Sequence, residues 1–240
     1  MKRRDALRSL GAIAAAVGLP NVGAVELKSV PHETGLTPEM LPPAIMNGGQ
    51  ENVFTGVTRA TLTAIYDRLI PADELGPSAS EAGCVDFIDA QMAGPYGESK
   101  DVYLDKPLQP DENELMGMNI SLRTRREHYL AGLAFLEDHA RKQHGKPFAE
   151  LEGEQMDQIL SDLEAGKLDW DGPGSSVRLF NGLLQNVREG YFSDPLYGGN
   201  RDMVGWKLIG FPGARYDYRP YVHRNGQDLG LEPISLIPVS

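Results

Sequence analysis

The side chains best suited to bind a metal ion or to act as a nucleophile are few in this sequence: one cysteine and five histidines. His128 and His139 are eleven residues apart on one predicted helix, which separates them by about 16 Å at ~1.5 Å per residue, so they cannot share a metal ion. Cys84, being alone, cannot form an intramolecular disulfide, a four-cysteine iron–sulfur centre or a CxxC redox centre. The remaining histidines are interpreted as solvated or capping residues: His32, His144 and His223. We therefore predict no metal site in this chain.

Two pairs of acidic residues, Asp86/Asp89 and Glu137/Asp138, could act as general acid and base. Both pairs fall on predicted amphipathic helices of an acidic chain, so a solvated helix face is the favoured interpretation. The motifs of nucleotide-binding, serine-hydrolase, zinc-protease and covalent-haem sites are missing from the sequence. Cys84 is by default a small buried residue, because a catalytic thiol would also need a histidine and an orienting polar group. We therefore predict no catalytic and no cofactor-binding residue.

The composition is that of a soluble globular protein, with 41% hydrophobic and 24% charged residues among 240. The formal net charge of −11 argues against nucleic-acid binding, which needs clustered basic residues. One basic cluster stands out: Arg123, Arg125, Arg126 and Arg141. We interpret this cluster as a salt-bridged surface, and a docking face for an acidic partner is the alternative.

The elements that would position these residues are helices. Apolar residues at helical spacing predict five of them, over residues 58–70, 80–92, 114–143, 154–165 and 175–189. Ser80 is the predicted N-cap of the second helix, and a short sixth helix is predicted over 202–209 with Asp202 as its cap. No alternating apolar run is long enough to build a sheet, so the predicted fold is all-α, an irregular bundle of about five helices.

The ends of the chain differ from the predicted bundle over residues 53–221. Residues 25–52 are rich in Pro, Gly and polar residues and predict an extended arm, and residues 222–240 predict an extended tail. The first 24 residues combine a basic start, the apolar stretch 10–19 and the small residues Val22-Gly23-Ala24, the layout of an export signal. The pair Arg3-Arg4 resembles a twin-arginine signal, and cleavage after Ala24 would leave a periplasmic chain of net charge −14. The alternative is an amphipathic first helix, but helical periodicity is missing.

The most informative segment is the aromatic block, residues 190–213, which is dense in aromatic residues, Gly and Pro. Within it, Ser193-Asp194-Pro195 predicts a turn, and Gly198-Gly199-Asn200 predicts positive φ angles and a close backbone approach. Trp206 and Phe211 are equally suited to an internal core and to an interface. The block holds nine predicted partner-binding residues: Tyr191, Phe192, Asp194, Pro195, Tyr197, Asn200, Arg201, Trp206 and Phe211.

The aromatic block resembles the hallmark of the gluconate 2-dehydrogenase subunit 3 family. Residues 62–71, Leu-Thr-Ala-Ile-Tyr-Asp-Arg-Leu-Ile-Pro, are similar to the opening helix of that family, and residues 83–89 fit the helix that follows. The resemblance spans about residues 58–221. It implies the small subunit of a membrane-associated, flavin-dependent sugar, sugar-acid or polyol dehydrogenase. In such a complex a large subunit holds FAD and a cytochrome subunit holds haem c, while the small subunit has no cofactor.

The same resemblance implies that the small subunit carries the export signal for the large subunit and helps it to fold and stay assembled. The net charge of −14 after cleavage would suit docking on basic patches of the partner. Two alternatives remain open. One is an independent periplasmic enzyme that uses Asp194, Arg201 or Asp202, and the other is a free-standing periplasmic scaffold.

Overall fold

The computed structural model describes residues 52–101, 123–171, 175–215 and 217–236. Six α-helices lie in these ranges: α1 (Gly56–Leu69), α2 (Cys84–Ala93), α3 (Arg125–His144), α4 (Gly153–Glu164), α5 (Ser175–Phe192) and α6 (Val204–Ile209). Between them the described residues form short 3-10 turns and two isolated β-bridges but no strand. The all-α prediction is therefore confirmed. The predicted signal segment, and the predicted arm up to residue 51, lie outside the described residues.

One apolar core joins the first five helices. α5 packs against α2, α4 and α1, and α1 also contacts α3. The side chains that meet there are spaced at helical intervals along each element, as the sequence predicts. Among those exposed by no more than 1% are Leu62, Ile65, Ile88, Leu133, Leu136, Leu163, Leu183 and Val187. In the parts of the chain that the structure describes, no helix is both long and apolar enough to cross a membrane.

The third helix begins later than predicted. Residues 114–122 lie outside the described residues, but Arg123 and Thr124 are not helical, so a helix that runs unbroken from residue 114 is wrong. The helix starts at Arg125 because Thr124 and Glu127 form a capping box. The Glu127 carboxylate accepts from the Thr124 N–H at 2.8 Å, and the Glu127 N–H donates to the Thr124 hydroxyl at 3.2 Å. The Thr-x-x-Glu pattern of residues 124–127 is therefore the sequence signal that marks the start of this helix.

The second helix also begins later than predicted, and Ser80 is not its cap. The Ser80 N–H and hydroxyl instead donate to the Asp67 carboxylate, both at 2.8 Å. The helix starts at Cys84, after Gly83 in the left-handed region at φ 85°. A Cβ atom on Gly83 would lie 2.6 Å from the carbonyl oxygen of Gly198. The aromatic block thus packs directly on the N-terminus of α2.

Candidate partner-binding site

The aromatic block begins inside the last turn of α5, where it is fixed against α2. Gly190 and Tyr191 are both buried. A Cβ atom on Gly190 would lie 3.0 Å from the Phe87 ring and 3.2 Å from Cys84. The Tyr191 hydroxyl donates to the carbonyl oxygen of Pro77 at 2.9 Å, across 114 residues of sequence. The start of the block is therefore part of the core of the chain.

Asp194 forms the predicted turn and makes a second, unpredicted connection. Its carboxylate accepts from the Leu196 N–H at 2.9 Å, at the start of a 3-10 turn. The same carboxylate accepts from the Ser235 hydroxyl at 2.9 Å and the Leu236 N–H at 3.0 Å. The C-terminal tail thus returns to the block, and Gly213 makes a second link through a β-bridge to Ile234.

Asn200 holds the centre of the block together. It is fully buried, and its φ of 46° lies in the left-handed region. Its side chain donates to the Ser193 carbonyl and accepts from the Gly205 N–H, both at 2.8 Å. Asn200 therefore supplies a hydrogen-bond acceptor for an N–H group in the first turn of α6. The prediction that Asp202 caps this helix is wrong. Asp202 is exposed, has a φ of 54° and precedes the helix, which begins at Val204.

Three glycines allow a close backbone approach, which the sequence predicts at Gly198 and Gly199 but not at Gly205. Gly198 has a φ of 93°, where only glycine is unstrained. A Cβ atom on Gly199 would overlap the Gly190 carbonyl, and one on Gly205 would overlap the Tyr191 carbonyl. The block is thus packed backbone against backbone onto the C-terminal turn of α5.

Arg201 ties the block to α2 through two contacts. Its N–H donates to the Ala82 carbonyl at 3.0 Å, and its guanidinium pairs with Asp86. Asp86 also pairs with Arg59, which reaches Asp89 at 3.4 Å. The buried Asp89 carboxylate in turn accepts main-chain N–H bonds from Val53 and Phe54. Both carboxylates of the Asp86/Asp89 pair therefore bind structural donors, and the favoured interpretation of a solvated helix face is wrong for the buried Asp89.

Trp206 belongs to the core, whereas Phe211 lies at its edge. The Trp206 ring is 5% exposed, and its N–H donates to the Phe192 carbonyl at 2.8 Å. The Phe211 ring lies edge-on to it, with 5.2 Å between the ring centres, and remains 43% exposed. From sequence, both rings were equally suited to the core and to an interface. In the structure Trp206 is buried inside this chain, and only Phe211 can contact another protein without rearrangement.

Some of the predicted partner-binding residues are buried and others are exposed. Tyr191, Asn200 and Trp206 are buried, while Phe192, Tyr197 and Phe211 are exposed. Phe192 and Tyr197 border a depression of about 380 Å³ that opens widely to solvent. Its walls are formed by α2, the end of α5 and the block: Phe87, Gln91, Glu189, Phe192, Ser193 and Tyr197.

Exposed apolar side chains are concentrated in the last part of the chain. Of the eleven large exposed hydrophobic residues in the described ranges, only Val57 and Leu75 lie outside residues 192–236. Monomeric proteins rarely leave such patches bare, because buried apolar area stabilises a protein and exposed area does not. The nine within that range are Phe192, Tyr197, Leu208, Ile209, Phe211, Tyr218, Val222, Ile234 and Leu236.

Cys84 and the arginines of the basic cluster are placed in ways that do not favour catalysis. Burial raises the pKa of the Cys84 thiol to about 12, so the thiolate nucleophile is scarce at neutral pH. No group of three or more His, Cys, Asp or Glu in the described ranges is placed to hold a metal ion.

Each arginine of the basic cluster pairs with a carboxylate, as the salt-bridged interpretation predicts. The pairs are Arg123–Asp171, Arg125–Asp101, Arg126–Glu98 and Arg141–Glu137.

A second cavity, of about 280 Å³, lies where α3 and α5 meet. Arg123, Arg125, Arg178 and His128 line it, together with Tyr96 and Asn186. Burial lowers the pKa of His128, so this imidazole stays neutral more readily than a solvated one. The polar lining is already used in part, because Asn186 donates to the Tyr96 hydroxyl at 3.2 Å.

Comparison with protein-family models identifies a related family. A family model described as gluconate 2-dehydrogenase subunit 3 matches residues 58–213. The match covers α1 to α6 and ends at Gly213, so it includes the whole aromatic block. No curated protein and no solved structure matches the chain significantly.

Proposed function

This chain belongs to the gluconate 2-dehydrogenase subunit 3 family, and on that basis we propose that it is the non-catalytic small subunit of a periplasmic dehydrogenase complex. Membership implies a dehydrogenase partner. We propose that this partner holds FAD and oxidises a sugar, sugar acid or polyol. A cytochrome subunit with haem c would pass the electrons to the membrane and attach the complex to it.

The observation that carries this proposal is the concentration of exposed apolar side chains after residue 192. The block beneath them is rigidly built from Asn200, Trp206 and close-packed glycines. A fixed backbone that presents aromatic side chains to solvent suits protein binding, because aromatic anchors dominate interface energies and little order is lost on docking. Phe192, Tyr197 and Phe211 are the predicted partner-binding residues that are free to contact the dehydrogenase.

We further propose that the chain escorts the dehydrogenase out of the cytoplasm. The segment around Arg3-Arg4 would be the export signal for both proteins. A folded partner can travel with this chain only if the two bind before export. Binding would also cover the apolar surface of each subunit, which would protect both from aggregation.

The test is to co-produce the full chain with the dehydrogenase subunit of the same organism, with an affinity tag on the dehydrogenase. We expect both proteins to be recovered together from the periplasm, with FAD on the tagged subunit. Changing Arg3→Lys and Arg4→Lys should leave both proteins in the cytoplasm, still bound to each other. Arg8→Lys is the matched control and should not affect export, because it lies outside the pair.

Failure to recover this chain with the tagged dehydrogenase would contradict the proposed function. The independent-enzyme alternative would be favoured by turnover from the isolated chain. Against it, Asp194 and Arg201 are engaged in contacts that hold the fold. Normal export of the lysine variant would overturn the escort role but not the partnership.

A further inference from the structure

One exposed apolar surface is the C-terminal ridge, formed by Leu208, Ile209, Phe211, Tyr218 and Ile234. Their exposed fractions lie between 39% and 59%. The ridge is one connected structure, because its parts meet at Gly213. Gly213 bridges to Ile234, and its carbonyl accepts from the Tyr218 hydroxyl at 3.4 Å.

We propose that the C-terminal ridge is the surface that docks onto the dehydrogenase subunit, and that the face it meets is apolar at the centre and acidic at the rim. This inference rests on the proposed function and adds the location and chemistry of the contact. It also differs from the expectation drawn from the overall charge, which points to a basic face on the partner.

The apolar centre of the ridge is the outer side of α6. This helix buries Gly205 and Trp206 and exposes Leu208 and Ile209. Ile209 is 59% exposed and is followed by Gly210 and Phe211, so three large apolar side chains lie within four residues. Each of the three keeps between 42% and 59% of its surface exposed in the described part of the chain. A partner that buries them gains the hydrophobic free energy of removing their surface from water.

The segment that carries the ridge is not acidic, unlike the chain as a whole. Residues 201–234 contain five basic and four acidic residues, a net charge of +1, while the whole chain carries −11. Lys207 and Arg224 are both exposed. An acidic rim on the partner would be attracted here and repelled by the remaining surface. Such complementarity fixes the orientation of docking and raises the association rate.

An anionic membrane also attracts basic and apolar residues, but a protein partner fits the ridge better. Lipid-binding basic clusters are formed by four to eight Lys or Arg next to a membrane segment. In the segment that carries the ridge, four acidic residues interrupt the basic ones: Asp202, Asp217, Asp228 and Glu232. Asp217 pairs with Arg219 at 2.8 Å. The remaining chain is strongly acidic, so a broad anionic surface would repel it.

The experiment measures binding of the full chain to the FAD-loaded dehydrogenase subunit at several salt concentrations. We expect Ile209→Asp to weaken binding about 30-fold, as loss of an interface anchor does. Val57→Asp is the matched control, since Val57 is 52% exposed, β-branched and near the start of α1. It should bind like the unchanged chain. Both variants are at exposed positions, and their folding is checked by thermal unfolding.

The charge is tested by the double change Lys207→Glu/Arg224→Glu. We expect a roughly 10-fold slower association at low salt and a weaker salt dependence. Lys142→Glu/Lys146→Glu changes the net charge equally at exposed positions of α3 and the turn after it, and should have a much smaller effect. If the charge change speeds association, the partner face is basic and the inference is wrong.

The outcomes separate the inference from the proposed function. If the unchanged chain binds the dehydrogenase but Ile209→Asp binds equally well, the ridge is not the docking surface, while the proposed function stands. If the unchanged chain does not bind at all, the proposed function fails. Sedimentation of the chain with phosphatidylglycerol vesicles, lost in Ile209→Asp, would assign the ridge to lipid instead. An Ile209-dependent dimer would assign it to a second copy.

Discussion

Replacing Gly205 with alanine is expected to lower the free energy of unfolding by about 3 kcal/mol, the upper part of the usual range for overpacking. The added Cβ atom would overlap the Tyr191 carbonyl and come within 3.0 Å of the rings of Tyr191 and Phe192. The neighbouring atoms cannot yield cheaply, because the carbonyl belongs to the last turn of α5 and Tyr191 is buried. The chain must therefore shift α6 away from α5.

Thermal and urea unfolding of the full chain measure this effect. A loss of about 3 kcal/mol corresponds to a Tm lower by roughly 6–12 °C for a protein of this size. Gly182→Ala is the control, since Gly182 lies within α5 and a Cβ atom there meets nothing within 4 Å. That change should raise the stability by about 0.5–1 kcal/mol through helix propensity. Equal stability of Gly205→Ala and the unchanged chain would show that the block is not packed as described.

The Gly205 contact also matters for binding, because α6 carries the apolar centre of the C-terminal ridge. A shift of α6 moves Leu208, Ile209 and Phe211 together. Gly205→Ala should therefore weaken binding to the dehydrogenase even where the chain remains folded. Gly205→Ala thus acts by shifting α6, whereas Ile209→Asp replaces one exposed side chain and leaves the packing of α6 on α5 intact.

Local sequence patterns predicted most of the helices because their buried side chains are close in sequence. α4 and α5 were predicted to within three residues at each end, since their apolar residues recur at helical spacing. The start of the third helix depends on a local signal, the Thr124/Glu127 capping box, whereas the start of the second depends on distant residues. Ser80 is a good N-cap in isolation, but its hydroxyl donates to Asp67, and the helix starts at Cys84, where Gly198 packs against Gly83.

The features of the candidate site that depend on local sequence were also predicted, and those that depend on distant contacts were not. Composition identified the aromatic block and the turn at Asp194, because Gly, Pro and Asp have strong local preferences. The sequence could not tell that Asp194 also binds Ser235, 41 residues away. Nor could it separate Trp206 from Phe211, since both rings favour burial and only the packing of α6 on α5 decides which one is covered.

The block depends equally on one polar side chain, and Asn200→Ala is expected to cost about 4 kcal/mol. The change removes the side-chain partners of the partly buried Ser193 carbonyl and of the buried Gly205 N–H, at ~1–3 kcal/mol for each. It also places a residue with a Cβ atom, and without the polar side chain that eases it, at a φ of 46°, which costs about 1 kcal/mol. Urea unfolding of the full chain measures the sum.

Asn200→Gly separates these contributions, because glycine loses both hydrogen bonds but adopts positive φ freely. We expect it to be more stable than Asn200→Ala by about 1 kcal/mol and still well below the unchanged chain. Equal stability of Asn200→Ala and the unchanged chain would mean that the two hydrogen bonds do not hold the block. If instead Asn200→Gly restores full stability, the asparagine is present for its backbone angle alone, and the start of α6 is held by the contacts of Trp206.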